Sequence, residues 1–165
     1  MDMDQLVTFL QAHKLRLVTA ESCTAGLIAS TVADVEGAGD LLDCAFVTYS
    51  PGAKQKCLGV RAETIEEFGL TSEQVAREMA LGALKAGSAN LAVANTGVAD
   101  SVDPSVPSGT QCYAWAFANA RGAAPVVHSE TRRFDGGRNR VRRESAHYAL
   151  CRIPALCQQL ADGSL

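Results

Sequence analysis

The stretch Thr19-Ala20-Glu21-Ser22-Cys23-Thr24-Ala25-Gly26 decides the fold, because it joins an apolar run at 15–18 to apolar residues at helical spacing from Leu27 onward. A strand that ends in small polar residues and leads into a helix exposes free backbone N–H groups at the positive end of the helix dipole. The stretch therefore predicts a strand–turn–helix unit that suits an anion or the developing oxyanion of an acyl transfer.

Two hypotheses account for the polar side chains of this stretch. In the first, Ser22 or Thr24 is simply the N-cap of the following helix. In the second, the stretch carries chemistry: Ser22 and Thr24 supply hydroxyls, Cys23 supplies a thiol and Glu21 supplies a carboxylate. Helix caps are commoner than nucleophiles, so the rest of the chain has to decide between the two.

Length and composition indicate one globular domain over residues 1–165. The chain is 47% hydrophobic and 20% charged, and 165 residues are enough to bury most of the apolar surface without disulfides. No apolar run approaches the roughly 18 residues that span a bilayer. The acidic start, Met1-Asp2-Met3-Asp4, lacks the pattern of a signal peptide. We therefore expect a cytoplasmic protein without membrane contacts.

The six cysteines are scattered and include no C-x-x-C pair, so the sequence predicts neither a zinc site nor a disulfide framework. We expect most of them to be small buried hydrophobic residues.

The net charge of −3 is unevenly distributed. Residues 1–100 carry 7 Lys/Arg against 13 Asp/Glu, whereas residues 101–165 carry 8 Arg against 5 acidic residues. The overall acidity argues against general nucleic-acid binding, but a local arginine cluster suits a compact anion such as a phosphate ester. Four of these arginines begin the last predicted helix, where they oppose its dipole unless an anion lies nearby: Arg138, Arg140, Arg142 and Arg143.

Hydrophobic periodicity and turn residues predict alternating strands and helices. Helices are expected over residues 3–13, 24–35, 51–58, 62–68, 71–86 and 137–160, with Pro154 kinking or dividing the last one. Strands are expected over residues 14–20, 44–49, 91–95, 110–117 and 126–134, with a loop over 96–108 and a turn bracketed by Gly122 and Pro125. This order predicts a single-domain three-layer α/β/α sandwich with a mixed, mostly parallel sheet.

Three predicted strand ends carry unusual polar sequence, at residues 19–26, 48–54 and 95–100. Because ligands gather at the carboxyl ends of parallel strands, we expect Ser22, Tyr49, Lys54 and Thr96 to converge on one crevice. Lys54 is the best candidate for the base of a serine nucleophile, and Tyr49 can relay a proton between them. The three histidines adjoin none of these strand ends and are expected to be packed or surface residues: His13, His128 and His147.

At these residues the chain resembles the C-terminal domain of the CinA (competence/damage-inducible protein) family, over nearly its whole length. The resemblance is carried by 19–26, 46–50, 53–54, 58–60, 96–99 and 107–110, and by Phe134, Gly136, Arg138, Val141 and Arg142. Active family members are nicotinamide-nucleotide amidases of the PncC type, which convert nicotinamide mononucleotide to nicotinate mononucleotide and ammonia. The resemblance implies an α/β/α fold, a pyridine mononucleotide substrate and no metal or organic cofactor.

Carried over by position, the resemblance implies that Ser22 is the nucleophile and that Lys54 and Tyr49 activate it. It places Thr96 and the backbone around Gly97 beside the substrate. The other residues expected to bind substrate are Glu21, Cys23, Thr24, Gly26, Arg138 and Arg142, one of the two arginines meeting the phosphate. A homo-oligomer is also expected, because many small α/β enzymes complete their sites across subunits.

Residues 100–106 depart from the family pattern. Asp100-Ser101 stands where the family usually has Gly-Pro, the following glycine pair is missing, and Val106 replaces a lysine. Near the last helix, Gly136-Gly137-Arg138 replaces Gly-Asp-Arg. An acidic side chain beside a phosphate would repel it. Two further hypotheses therefore stand beside the amidase: a non-catalytic family member that binds a nucleotide or a protein partner, and an enzyme whose nucleophile is Cys23.

Overall fold

The computed structural model describes residues 1–119 and 123–165, which form a five-stranded sheet between two layers of helices. The strands are β1 (Leu17–Glu21), β2 (Leu42–Val47), β3 (Leu91–Gly97), β4 (Thr110–Phe117) and β5 (Val126–Arg133). The helices are α1 (Met3–Ala12), α2 (Leu27–Ala33), α3 (Pro51–Leu58), α4 (Ala62–Phe68), α5 (Glu73–Ala86), α6 (Arg138–Cys151) and α7 (Ile153–Ala161), with a 3₁₀ turn over Ala38–Asp40. In these two described ranges, no helix has the length and apolar character to cross a bilayer. The predicted turn residue Gly122 lies outside them.

The strand order is β2-β1-β3-β4-β5. β1 is parallel to both of its neighbours, whereas β4 is antiparallel to both of its own. The predicted mixed sheet is confirmed, although parallel and antiparallel pairs are equally frequent in it. The three parallel strands end at one edge of the sheet, where Glu21 is paired with Val47 on one side and Asn95 on the other.

Helices cover both faces of the sheet, and β4 shows how the sequence assigns the faces. Tyr113 and Trp115 pack in the cluster formed with α1, α2, α6 and α7. Ala114 and Ala116 pack on the opposite face against α5 and the end of α3. The alternation follows from the two-residue period of a β-strand. The predicted three-layer α/β/α sandwich is therefore confirmed.

Left-handed backbone conformations determine where β1 and α2 begin. Lys14 has a φ of 52°, so residues 14–16 turn the chain out of α1 instead of opening the strand. Ala25 and Gly26 have φ values of 50° and 93°, which are incompatible with an α-helix. The expected starts of the strand at residue 14 and of the helix at residue 24 are wrong for this reason.

Capping residues and a proline set the ends of the other helices near the site. The Ser50 hydroxyl accepts a hydrogen bond from the N–H of residue 53, Pro51 begins α3, and Gly59 ends it with a φ of 68°, as expected. The last predicted helix is divided at Arg152 into α6 and α7. Pro154, which lacks an N–H for the helix ladder, lies in the first turn of α7, where it is tolerated.

Only Cys23 and Cys112 among the six cysteines are buried, so the prediction that most are buried is wrong. The other four lie on the edge strand β2 and on the outer helices, where side chains are partly or wholly exposed: Cys44, Cys57, Cys151 and Cys157.

Gly82 allows α5 to pack directly against the end of α3. A Cβ atom at Gly82 would lie 1.9 Å from the carbonyl oxygen of Leu58 and 2.7 Å from its carbonyl carbon. Both contacts are with backbone atoms, which no side-chain rotation relieves. The small residue at this position is therefore required by helix–helix contact rather than by contact with the sheet.

We expect Gly82→Ala to lower the free energy of unfolding by at least about 1–3 kcal/mol, because α3 and α5 must separate to admit the methyl group. Urea denaturation measures this. Gly52→Ala on α3 is the matched control, since a Cβ there meets no atom within 4 Å, and its stability should be unchanged or slightly higher. Equal stabilities of the two variants would contradict the packing.

Candidate active site

A cavity of about 230 Å³ lies at the carboxyl ends of the three parallel strands. Ser22 follows β1, Lys54 comes from α3 after β2, and Thr96 lies in β3. Tyr49, which follows β2, also lines the cavity, so the expected convergence of these four residues on one crevice is confirmed. The lining consists of Ser22, Cys23, Tyr49, Lys54, Leu70, Thr71, Thr96, Gly97, Val98, Ala99, Asp100 and Arg138. A larger, more open cleft of about 570 Å³ lies between α3 and α5, but its lining contains no hydroxyl side chain.

Ser22 and Lys54 are in direct contact at the base of the cavity. Lys54 Nζ lies 2.8 Å from Ser22 Oγ and donates to the carbonyl oxygen of Thr48 at 2.7 Å. The lysine side chain is only 1% exposed, and this burial lowers its pKa to about 8. A sizeable fraction of Lys54 is therefore neutral near pH 7.5, which is what a general base for a serine requires.

Glu21 caps α2 from the preceding strand. This corrects two predictions, that Glu21 binds substrate and that Ser22 or Thr24 is the N-cap. Its carboxylate accepts hydrogen bonds from the N–H groups of Gly26, Ile28 and Ala29 at 2.8, 3.0 and 2.9 Å. The Thr19 hydroxyl donates a fourth at 3.0 Å. With no exposed surface and every bond directed into the protein, Glu21 has no route to a substrate. Neither Ser22 nor Thr24 is the N-cap, a position occupied by Gly26.

The turn at 22–26 is fixed from its other sides by Asn95 and Arg142. The backbone carbonyl of Asn95 accepts from the Ser22 N–H at 3.0 Å, and its side-chain Oδ1 accepts from the Thr24 N–H at 3.2 Å. Arg142 donates to the carbonyl oxygens of Cys23 and Thr24 at 2.9 and 3.1 Å. Arg142 therefore holds the turn and does not line the cavity. This contrasts with its expected role as the phosphate ligand, for which Arg138 was the alternative.

The N–H of Cys23 is the donor in this turn that has no acceptor among the described residues. In contrast, the N–H groups of Ser22 and Thr24 are both bonded to Asn95. The Cys23 thiol is 4% exposed and accepts a hydrogen bond from Gln111 Nε2 at 3.4 Å. The thiol thus points into a polar network under the turn, while the backbone N–H belongs to the residue next to Ser22.

Tyr49 binds Arg138 at the mouth of the cavity. Arg138 Nη2 donates to the Tyr49 hydroxyl at 2.9 Å, and Arg138 Nη1 lies 3.8 Å from Asp100 Oδ2. The tyrosine side chain is exposed, and among the described residues its hydroxyl bonds neither Ser22 nor Lys54. The expected proton relay through Tyr49 therefore has no hydrogen bond to support it in this arrangement.

Thr96 and Gly97 belong to β3 instead of the expected loop. The Thr96 hydroxyl donates to the carbonyl oxygen of Leu70 at 2.8 Å, which ties the segment before α5 to the cavity wall. A Cβ at Gly97 would lie 2.5 Å from the carbonyl oxygen of Thr110 and 2.6 Å from Gln111 Oε1. These contacts require glycine, and they leave the backbone at residue 97 beside the cavity.

The predicted site residues thus fall into two groups. The cavity wall includes Ser22, Cys23, Tyr49, Lys54, Thr96, Gly97 and Arg138, whereas Glu21, Thr24, Gly26 and Arg142 support the turn behind it. The predicted set did not include the buried Asn95 and Gln111. These two side chains are hydrogen-bonded to each other at 3.0 Å and support the turn at 22–26. Their polar character within apolar strand sequences was the available signal.

No cluster of three or more His, Cys, Asp or Glu residues suited to a metal ion occurs in the described ranges. The histidines lie elsewhere: His13 stacks on Phe9, His128 is 3.4 Å from Glu130, and His147 contacts Cys151.

Comparison with known proteins assigns the chain to a family. Residues 2–157 match the family described as the CinA C-terminal domain, and the chain belongs to that family. A nicotinamide-nucleotide amidohydrolase, PncC, from Escherichia coli (strain K12) is 42% identical over 149 residues, which cover 89% of this chain and 87% of that protein. A putative competence-damage inducible protein from Symbiobacterium thermophilum is 41% identical, but the matched region is 92% of this chain and 37% of that longer protein.

Solved structures show the same fold. A CinA superfamily protein from Escherichia coli superposes with a TM-score of 0.84 at 32% identity, covering 93% of this chain and 87% of that chain. The competence/damage inducible protein CihA from Agrobacterium tumefaciens superposes with a TM-score of 0.82 at 37% identity, covering 94% and 96%.

Burial of Lys54 also predicts a pH-dependent stability. Its pKa is about 8 in the folded protein against an ordinary 10.5, so between these values the unfolded chain binds a proton that the folded chain does not. The wild type should therefore gain stability as pH rises through this window. Lys54→Met lacks this gain, so the free energy of unfolding of wild type relative to Lys54→Met should rise by about 2 kcal/mol between pH 7 and pH 10.

Urea denaturation at several pH values measures this difference. Lys56→Met, at an exposed position on the same helix, is the matched control and should show no such trend. The same pH dependence of the free energy of unfolding in both variants would contradict the effect of Lys54 burial.

Proposed function

We propose that this protein is an amidohydrolase that converts nicotinamide mononucleotide to nicotinate mononucleotide and ammonia, with Ser22 as nucleophile and Lys54 as general base. The observation that carries the proposal is the 2.8 Å contact between the buried Lys54 amine and Ser22 Oγ. The 42% identity to a protein named nicotinamide-nucleotide amidohydrolase supports the choice of substrate.

In the first step, Ser22 Oγ attacks the carboxamide carbon while neutral Lys54 takes the hydroxyl proton. Thr48 assists because its carbonyl oxygen accepts one amine N–H and so orients the nitrogen lone pair toward Ser22. The carboxamide oxygen becomes an oxyanion, and the N–H of Cys23 is the donor positioned to stabilise it. Lys54 then returns its proton to the amide nitrogen, and ammonia leaves.

In the second step, water hydrolyses the nicotinoyl ester of Ser22. Lys54, neutral again after ammonia has left, removes a proton from the water, which attacks the ester carbon. The resulting tetrahedral intermediate expels Ser22 Oγ, which regains a proton from Lys54. One water is consumed for each carboxamide converted to a carboxylic acid, and no cofactor enters either step.

The cavity wall supplies the groups for substrate recognition. Thr96 and the backbone at Gly97 flank the serine, so we place the pyridine ring and its carboxamide between them and Ser22. Arg138 at the mouth is the cation available to the ribose phosphate. A cytoplasmic location, a homo-oligomeric state and one domain over residues 1–165 stay predictions from the sequence.

Purified protein should release ammonia from nicotinamide mononucleotide, and Ser22→Ala should reduce kcat/KM by at least about 1,000-fold, because no other group forms the ester. Coupled detection of ammonia measures turnover, and circular dichroism verifies that the variant is folded. Equal turnover by wild type and Ser22→Ala would refute the serine mechanism.

The matched control is Cys23→Ser, which alters the neighbouring side chain but keeps the backbone N–H. The serine mechanism predicts that Cys23→Ser retains activity and that iodoacetamide does not inactivate the wild type, since the thiol is buried. An inactive Cys23→Ser would favour the cysteine hypothesis. Binding of the nucleotide without turnover would favour the non-catalytic one.

The activity of the wild type should follow the neutral fraction of Lys54. Because the pKa is about 8, kcat/KM should rise about fivefold between pH 7 and pH 8 and level off above pH 9. Steady-state kinetics between pH 7 and 9.5 test this, because the substrate phosphate, with a second pKa of about 6, is mostly dianionic over that range. A flat profile over this range would exclude Lys54 as the base.

A further inference from the structure

Asp100 and Arg138 face each other at the mouth of the Ser22 cavity. Asp100 Oδ2 lies 3.8 Å from Arg138 Nη1, and the two side chains are 64% and 50% exposed. Tyr49 holds the other side of the guanidinium by accepting a hydrogen bond from Nη2 at 2.9 Å. The one guanidinium among the residues of the cavity wall is therefore already paired with a carboxylate.

The charges of the cavity wall nearly cancel when the base is in its active state. The ionisable acidic and basic residues of the wall, other than the thiol and the phenol, are Lys54, Asp100 and Arg138. Lys54 must be neutral to accept a proton, which leaves one carboxylate and one guanidinium. A phosphate monoester carries a charge of about −1.5 to −2 at pH 7, so Asp100 repels it while Arg138 attracts it.

The same carboxylate attracts the other end of such a substrate. The pyridine nitrogen of a nicotinamide riboside carries a permanent positive charge, so the nucleoside without phosphate is a cation. The charge balance of the cavity wall therefore favours the nucleoside over the mononucleotide.

We propose that Asp100 is a specificity-determining residue that shifts this site toward the unphosphorylated pyridinium riboside, so that the enzyme deamidates nicotinamide riboside as well as the mononucleotide. This inference rests on the amidase activity proposed above. Asp100 acts on the relative kcat/KM of the two substrates and takes no part in the proton transfers between Ser22 and Lys54.

The test compares kcat/KM for nicotinamide mononucleotide and nicotinamide riboside in wild type and Asp100→Asn. The variant keeps the side-chain shape and removes the charge. We expect the ratio of mononucleotide to riboside kcat/KM to rise about tenfold in the variant, and the rise to shrink in 0.5 M salt as screening increases. Glu144→Gln is the matched control. Glu144 lies on α6, the helix that carries Arg138, and pairs there with Arg140 at 2.6 Å, but it does not line the cavity. Its ratio should equal that of wild type.

The outcomes separate this inference from the amidase itself. Turnover of the mononucleotide with the same substrate ratio in wild type and Asp100→Asn would overturn the role of Asp100 and leave the amidase intact. Release of ammonia from neither substrate would refute the amidase. In that event, calorimetric titration of the two nucleotides into both proteins tests Asp100 by affinity alone. An unchanged affinity ratio, or no binding of either compound, would overturn its role.

Discussion

The geometry of the site depends on the hydrogen bonds of the buried Glu21 carboxylate. It lies at the end of the central strand β1 and satisfies three N–H groups at the start of α2, so strand and helix are joined by charge-assisted hydrogen bonds across a five-residue turn. Ala25 and Gly26 adopt left-handed conformations within that turn, and at Ala25, which has a Cβ, this geometry would cost free energy in isolation. The carboxylate holds the turn in this shape, which carries Ser22 out of the strand and into the cavity.

Lys54 shows the opposite use of burial. Glu21 has four hydrogen-bond donors around its charge, whereas Lys54 has Thr48 and Ser22 as its only described partners and no carboxylate. An ammonium group in such surroundings is poorly solvated. The lost solvation free energy disfavours the protonated form and so lowers the pKa of Lys54. The same desolvation that reduces the stability of the folded state thus provides an amine of which a sizeable fraction is neutral near physiological pH.

The sequence predicted those features that depend on local pattern. Strand and helix order, the two faces of β4 and the capping of α3 by Ser50 all follow from periodicity and capping rules. The convergence of Ser22 and Lys54 followed from the rule that parallel strands end together. Other roles depend on contacts between distant segments: Arg142 reaches the carbonyl of Cys23, 119 residues earlier, and Asn95 reaches the N–H of Thr24, 71 residues earlier. No local pattern encodes such pairs, which is why Arg142 was expected, as an alternative to Arg138, at a phosphate.

The structure separates the groups proposed for chemistry from those proposed for recognition. Ser22 and Lys54 are buried and fixed by strand ends and a capped helix, so a substitution there disturbs packing as well as reactivity. Tyr49, Asp100 and Arg138 are exposed at the mouth and make few contacts with the core. Exposed residues such as these can be substituted with little effect on stability. Under the proposed roles, a chain of this family keeps the serine–lysine pair while its charge selectivity changes, and the acidic residue at position 100 is where such a change would act.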